Sequence, residues 1–469
     1  MKLSLTALIA FFALNLSAQT LQQNIEKAYA TFEQDPQFKY GTNSLTVLNA
    51  ETGEVIFSKN GNTGLAPAST LKTITSATAY YLLGPEFTWK TSLGYSGQIK
   101  NGTLNGDLVL SGGGDPTLGS WRYEISKTEL VMKKWVQAIR EAGIKKVNGR
   151  ILADDQLFGS QSLPSGWIWQ DMGNYYGAGP NSLTWNENQF DLIFKPGNKV
   201  GDEVALVRTE PVMTYLKIIN EVKTGSAGSG DNVYAYSSPY SNLVYLRGTY
   251  GIDLKKNISA SVPDPAFDVA WRLRDTLMQL GISVEQPATS TRQLAAEKLG
   301  WQPANNTISA YTSPTLSQVV YWFNQKSINL YGEHLIKTLA WKQDKEITTA
   351  EGARVIKDFW SKKLNMDAAS LNIIDGSGLS PGNRVTTMSM ARILQSVKSE
   401  PWFKTYLESF PLYNNMKMKS GTINGALAYT GYQTSSSGVP LVFSFIVNNY
   451  NGSSTAVRQK MFQMLDVLK

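Results

Sequence analysis

The stretch PASTLKTITS, residues 67–76, decides how this chain is read. Pro67 and small residues lead into Ser69 and Lys72, three positions apart, where the pattern predicts the start of a helix. Residues three apart lie on one helix face, so the Lys72 amine can reach the Ser69 hydroxyl. A serine at a helix N-terminus also faces free backbone N–H groups and the positive end of the dipole, which favour negative charge. A serine hydroxyl attacks well only when a partner takes its proton. Histidine is the usual partner, and the chain has one, His334. The alternative is an N-cap serine beside an exposed lysine.

Outward from that stretch, NSLTVLNAETGEVIFSKNG (43–61) reads as a hairpin, and the helix from Ser69 is expected to stop at Gly84-Pro85. From about 91 the texture changes to short strands with glycine turns, interrupted by a helical pattern over 127–143. The segment KTGSAGSGD (223–231) reads as a flexible loop tip between the strands EVALVRT and SNLVYLRGTYGID. DPAFDVAWRLRDTLMQLG (264–281) is an amphipathic helix, and helical pattern resumes over 314–342. The end alternates again in GALAYTGYQ and VPLVFSFIVNN before a helix over 454–468. Both ends thus carry strands and a helix, which could form one sheet with the middle inserted.

Composition bounds the function. The chain has 469 residues, 42% hydrophobic and 17% charged, as in an ordinary globular protein of about three domains. MKLSLTALIAFFALNLSAQT reads as a secretory signal with cleavage after Ala18, so residues 1–18 are expected to be removed and the protein secreted, into a periplasm. No other stretch has the length of an apolar membrane span. The absence of cysteine excludes disulfides and thiolate metal sites, and with one histidine no metal or other cofactor is expected. The net charge of +7 falls to +6 without Lys2. Basic residues sit in scattered pairs such as Lys133-Lys134 and Lys362-Lys363 rather than a stripe, so nucleic acid is not an expected partner.

Two other serine and histidine signals lead nowhere. Gly378-Leu379-Ser380-Pro381-Gly382 matches the G-x-S-x-G elbow, but that motif needs the N–H of the residue after serine, and Pro381 has none. DGSGLSPGN therefore reads as a tight glycine-rich loop. His334 lies in a helical pattern with no second histidine or cysteine, and is expected to be structural.

Two later stretches complete a set. QKSINLYGE (325–333) carries Ser327-x-Asn329, and KMKSGTINGALAYTGYQ (417–433) carries Lys419-Ser420-Gly421-Thr422 leading into a strand pattern. The ordered S-x-x-K, S-x-N and K-[ST]-G resemble the signature of penicillin-recognising serine enzymes. With LSGGGDPTL, GWIWQDMGNYYGAGPNSL and DGSGLSPGNRVT, the mature chain resembles the class C low-molecular-mass penicillin-binding proteins, serine D-alanyl-D-alanine carboxypeptidases and endopeptidases. It departs from them at Ile328, where the middle residue is usually acidic, and at Ser420, which replaces threonine but keeps the hydroxyl.

The resemblance implies an α/β (α+β) fold: a penicillin-binding, β-lactamase-like catalytic domain of helices around an antiparallel sheet, formed by 19–90 and 310–469. Two β-rich domains would be inserted, one from 91–195 and 263–309, the other nested at 196–262. It implies that Ser69 attacks the D-Ala–D-Ala carbonyl of a peptidoglycan stem peptide and that β-lactams acylate the same serine. Lys72 would be the general base, its pKa lowered from about 10.4 by burial and the Lys419 cation. Ser327 would bridge Lys72 and Lys419, and Asn329 would hold Lys72 and the substrate amide. The N–H groups of Ser69 and Thr422 would form the oxyanion hole. Lys419, Ser420 and Thr422 would bind the terminal carboxylate, and the strand through Gly421 would pair with the peptide. Asp171, beside Trp169, Tyr175 and Tyr176, would receive the side-chain ammonium of the stem peptide. The rival readings are a β-lactamase and an inactive envelope scaffold that binds glycan strands.

Overall fold

A computed structural model of the chain describes residues 20–469; the expected signal lies outside the described residues. The described chain forms two compact units. The first takes the chain up to Pro85, Val320–Ile328 and Gly352–Lys469, and the second takes Glu86–Val319 and Asn329–Glu351.

In the first unit both chain ends share one six-stranded antiparallel sheet. Its order is Val55–Lys59, Thr42–Asn49, Pro440–Asn448, Ala426–Thr434, Met416–Ile423 and Leu412–Tyr413. Thr42–Asn49 pairs with Pro440–Asn448 over its whole length, Thr42 opposite Asn448 and Asn49 opposite Leu441. Alternation explains which face is which. Leu45, Val47, Phe443, Phe445 and Val447 point to one side, where they pack with Leu21, Ile25, Val457 and Met461. Those partners come from a helix that runs through residue 33 and from Ser454–Leu465, so helices from both termini cover one face.

The helix predicted from Ser69 forms as a 3₁₀ turn, Ala68–Thr70, followed by the α-helix Leu71–Leu83. Gly84 ends it at φ +82°, a conformation that favours glycine. Ten of its residues from Leu71 to Tyr80 are buried, including Lys72, so the helix is interior rather than amphipathic. The pattern over 314–342 forms two helices, Leu316–Gln325 and Asn329–Lys342. Ser327 sits in the break at φ +57°, which no α-helix can contain.

The second unit holds a mixed five-stranded sheet in the order Thr289–Ser290, Ile151–Asp154, Leu108–Ser111, Lys90–Tyr95 and Asn306–Thr312. The amphipathic helices Thr128–Glu141 and Pro265–Gln279 supply Trp135, Ile139, Leu273 and Leu277 to its core. Residues between Phe190 and Val262 form a separate core around the strands Gln189–Lys195 and Leu243–Gly251. The segment read as a loop tip over 223–231 is partly strand. Lys223–Gly225 pairs in parallel with Leu243–Gly251, with Thr224 and Gly225 buried. No helix among the described residues is long and apolar enough to cross a membrane.

Candidate active site

Ser69 is held at the start of a buried helix by close packing on both sides. Ala68 adopts φ +47° immediately before it, a left-handed conformation that costs a residue with a Cβ on the order of 1 kcal/mol or more. Two glycines accommodate that shape. A Cβ on Gly421 would lie 2.6 Å from Pro67 O and 2.8 Å from Ser69 N, so the strand Met416–Ile423 runs directly against the nucleophile's backbone. A Cβ on Gly378, itself at φ +83°, would lie 1.9 Å from Ala68 O. These contacts bring 67–69, 378 and 421 together from segments far apart in sequence.

Lys72 Nζ donates to Ser69 Oγ at 2.9 Å and to the carbonyl oxygen of Ser377 at 2.6 Å. Its side chain is fully buried, with Nζ 5.6 Å from the centroid of the Phe323 ring. Lys419 Nζ donates to Ser327 Oγ at 3.0 Å and to Ser420 O at 2.8 Å. Burial, and then repulsion from Lys72, push the Lys419 amine well below its ordinary range. The Lys72–Lys419 repulsion that the sequence reading invoked is thus present at the site. Thr422 stays exposed beside buried Gly421, in the hairpin that pairs Met416–Ile423 with Ala426–Thr434.

The loop from Asp375 to Asn383, read from sequence as tight and glycine-rich, reaches Lys72 through its main chain. The buried Asp375 carboxylate accepts from the N–H groups of Gly378 and Ser380 and from Asn383 Nδ2. The loop's contribution at Lys72 is a main-chain carbonyl, which leaves no side-chain signature. Ser380, the serine of the G-x-S-x-G match, is fully buried, and its N–H is among those donated to Asp375.

In the second unit, Asn329 opens the helix Asn329–Lys342 and donates from Nδ2 to Tyr176 O at 2.8 Å. Asp171 lies in the short helix Trp169–Met172, where the Tyr176 side chain bears on its carboxyl. Asp171 is half-buried, and desolvation pushes its carboxyl above the ordinary value against the opposing pull of Tyr176. Tyr175 packs edge-on to Tyr176 at 5.4 Å, and Trp169 to Tyr236 at 4.9 Å. Asn329 and Asp171 are thus joined through one residue, a link invisible in sequence. His334 is fully buried, with Nε2 2.9 Å from Thr184 Oγ1 and Nδ1 2.8 Å from Gly114 O, as a structural histidine should be.

The sequence profile of the D-Ala-D-Ala carboxypeptidase 3 (S13) family matches residues 21–469. The chain belongs to that family. It is 27% identical over 448 residues to a D-alanyl-D-alanine carboxypeptidase of Actinomadura sp. strain R39, covering 89% of this chain and 80% of that protein. It is 23% identical over 424 residues to D-alanyl-D-alanine carboxypeptidase DacB of Haemophilus influenzae, covering 86% and 84%. The crystal structure of penicillin binding protein 4 (dacB) from Haemophilus influenzae superposes with a TM-score of 0.76 at 22% identity, over 91% of this chain and 95% of that one. That likeness confirms the mixed α+β fold. Membership of the S13 family makes the protein a hydrolase of the D-Ala-D-Ala carboxypeptidase class.

Proposed function

We propose that Ser69 is the nucleophile with which this carboxypeptidase cleaves D-Ala–D-Ala-type bonds in peptidoglycan stem peptides, in the periplasm or outside the cell. The observation that carries the reading is the 2.9 Å contact between Lys72 Nζ and Ser69 Oγ, set in a buried site. Lys72 in its neutral form takes the Ser69 proton as Oγ attacks the carbonyl carbon. The oxyanion is received by the N–H groups of Ser69 and Thr422; loss of one such donor typically costs about 3 kcal/mol. The proton passes through Ser327, held by Lys419, to the departing D-alanine nitrogen. Water then hydrolyses the acyl-enzyme and restores the Ser69 hydroxyl. Lys419, Ser420 and Thr422 bind the substrate's terminal carboxylate, the strand through Gly421 pairs with the peptide, Asn329 holds its amide, and Asp171 takes its side-chain ammonium.

β-Lactams acylate the same serine in this reading. Support comes from a second structure of the Haemophilus influenzae protein, described as complexed with a novel β-lactam, which superposes with a TM-score of 0.71 at 20% identity. Two measurements test the proposal. Fluorescent penicillin should label the purified protein and fail to label Ser69→Ala; persistent labelling of that variant removes the nucleophile assignment. Mass analysis of muropeptides should show loss of one alanine or cleavage of cross-linked dimers. Fast penicillin turnover with intact muropeptides would indicate a β-lactamase, and no change in either a scaffold.

A further inference from the structure

We propose that Asp375 is a positioning residue for the Ser69–Lys72 pair: its carboxylate holds and polarises the peptide unit whose carbonyl receives Lys72. The inference rests on the reading of Ser69 and Lys72 as nucleophile and base, and adds a residue outside the three motifs.

The peptide between Ser377 and Gly378 carries the argument. It is one planar group, with its C=O and N–H pointing in opposite directions. The C=O meets Lys72 Nζ at 2.6 Å, and the N–H meets Asp375 Oδ1 at 2.7 Å. Asp375 and Lys72 are therefore coupled across a single amide. A charged acceptor strengthens the bond it receives, and hydrogen bonds in series polarise one another in a low-dielectric interior. Asp375 and Lys72 are both fully buried.

The surrounding loop is built to keep that plane in place. Its ends are joined by the antiparallel pair Leu371–Asn372 and Arg384–Val385. Asp375 Oδ2 accepts from Ser380 N at 2.6 Å, and Oδ1 also accepts from Asn383 Nδ2 at 2.9 Å. Asn383 Oδ1 accepts from Ile374 N at 2.7 Å. On the other side, the absent side chain of Gly378 leaves room for Ala68 O, one residue before the nucleophile. The same peptide thus borders both members of the pair.

The chemical consequence is directional. A neutral amine has two N–H bonds and one lone pair, and the lone pair must face Ser69 Oγ to accept its proton. Committing one N–H to a fixed carbonyl restricts rotation about Cε–Nζ and aims the rest. The charged groups that bear on Lys72 oppose each other. Lys419 disfavours the ammonium form, whereas Asp375, through the amide, favours it. The Phe323 ring face adds a weaker pull in the Asp375 sense.

The test is the pH profile of penicillin acylation for the whole chain, measured on wild type, Asp375→Asn, Asp375→Ala and Asn383→Ala. Asparagine keeps an oxygen for the Gly378 N–H and removes the charge. Its acid limb should move to lower pH by roughly half to one unit, with a plateau on the order of tenfold lower. Asp375→Ala should lose on the order of a hundredfold. Asn383→Ala, which weakens the loop brace without removing charge, should leave the limb in place. Rates are taken per folded molecule, with the folded fraction read by circular dichroism at each pH, so instability of a variant does not move the limb. An Asp375→Asn limb coincident with wild type overturns the inference, as does an equal shift in Asn383→Ala. If wild type is not acylated, or Ser69→Ala still is, the nucleophile assignment fails instead.

Discussion

Replacing Gly421 with alanine adds one carbon where none fits. The new Cβ would stand 2.6 Å from Pro67 O, 2.8 Å from Ser69 N and 2.9 Å from Thr70 N, all backbone atoms. An ordinary contact is about 3.4 Å, so the strand and the start of the nucleophile helix must part by about 0.8 Å. Neither side yields easily. Gly421 is held opposite Ala428 by a strand pairing that runs from Lys417 to Ile423, and Ser69 opens a buried helix. Overpacking of this kind costs about 1–3 kcal/mol, of which the stiffer unfolded chain returns about 0.4–1. The effect on reaction is larger, because the same 0.8 Å separates Ser69 from Lys419 and from the Thr422 N–H. A misplacement of about 1 Å at a reacting pair costs on the order of a hundredfold. Gly421→Ala should therefore be acylated by fluorescent penicillin about a hundredfold more slowly, while remaining folded by circular dichroism and only modestly less heat-stable. Gly64→Ala is the control, since its Cβ would meet Arg384 Cβ at an ordinary 3.5 Å. Wild-type acylation by Gly421→Ala would refute the claim that this glycine sets the spacing of the site.

Ser420→Thr should turn over peptide nearly as wild type, whereas Ser420→Val should be slower because it lacks the hydroxyl; equal rates for the serine and valine forms would remove that hydroxyl from carboxylate binding. Asp171→Asn should lower kcat/KM for stem peptides with a free side-chain amine, spare N-acylated analogues and barely alter penicillin acylation. Equal losses on both peptide types would make Asp171 a structural residue. Burial holds His334 neutral, with its pKa pushed down to about 3. Its folded value lies below the unfolded value near 6.5, so its contribution to stability is complete above about pH 6.5 and is lost as pH falls toward 3. That contribution is on the order of 5 kcal/mol. As the chain has one histidine, one imidazole NMR signal reports it, and a folded-state titration with a midpoint between pH 5 and 8 would contradict the burial.

What the sequence determined by itself was the chemistry and much of the frame. Ser69 and Lys72 are three apart, and local helical geometry is enough to bring their side chains together. The alternating strands at both ends, and the amphipathic helices Thr128–Glu141 and Pro265–Gln279, were legible because periodicity records which face is buried. The order of the three motifs carried the family. Tertiary structure decided the rest. It broke the helical pattern over 314–342 at Ser327, whose φ of +57° places its hydroxyl on Lys419, because no local rule marks a serine for that conformation. It brought Gly421 and Gly378 against the backbone around Ser69, contacts between residues more than 300 positions apart that depend on the absence of side chains. It joined Asn329 to Asp171 through Tyr176. It also aimed the Ser377 carbonyl at Lys72. Every residue carries a carbonyl, so sequence can name the Asp375 loop but cannot say which of its main-chain oxygens meets a buried amine.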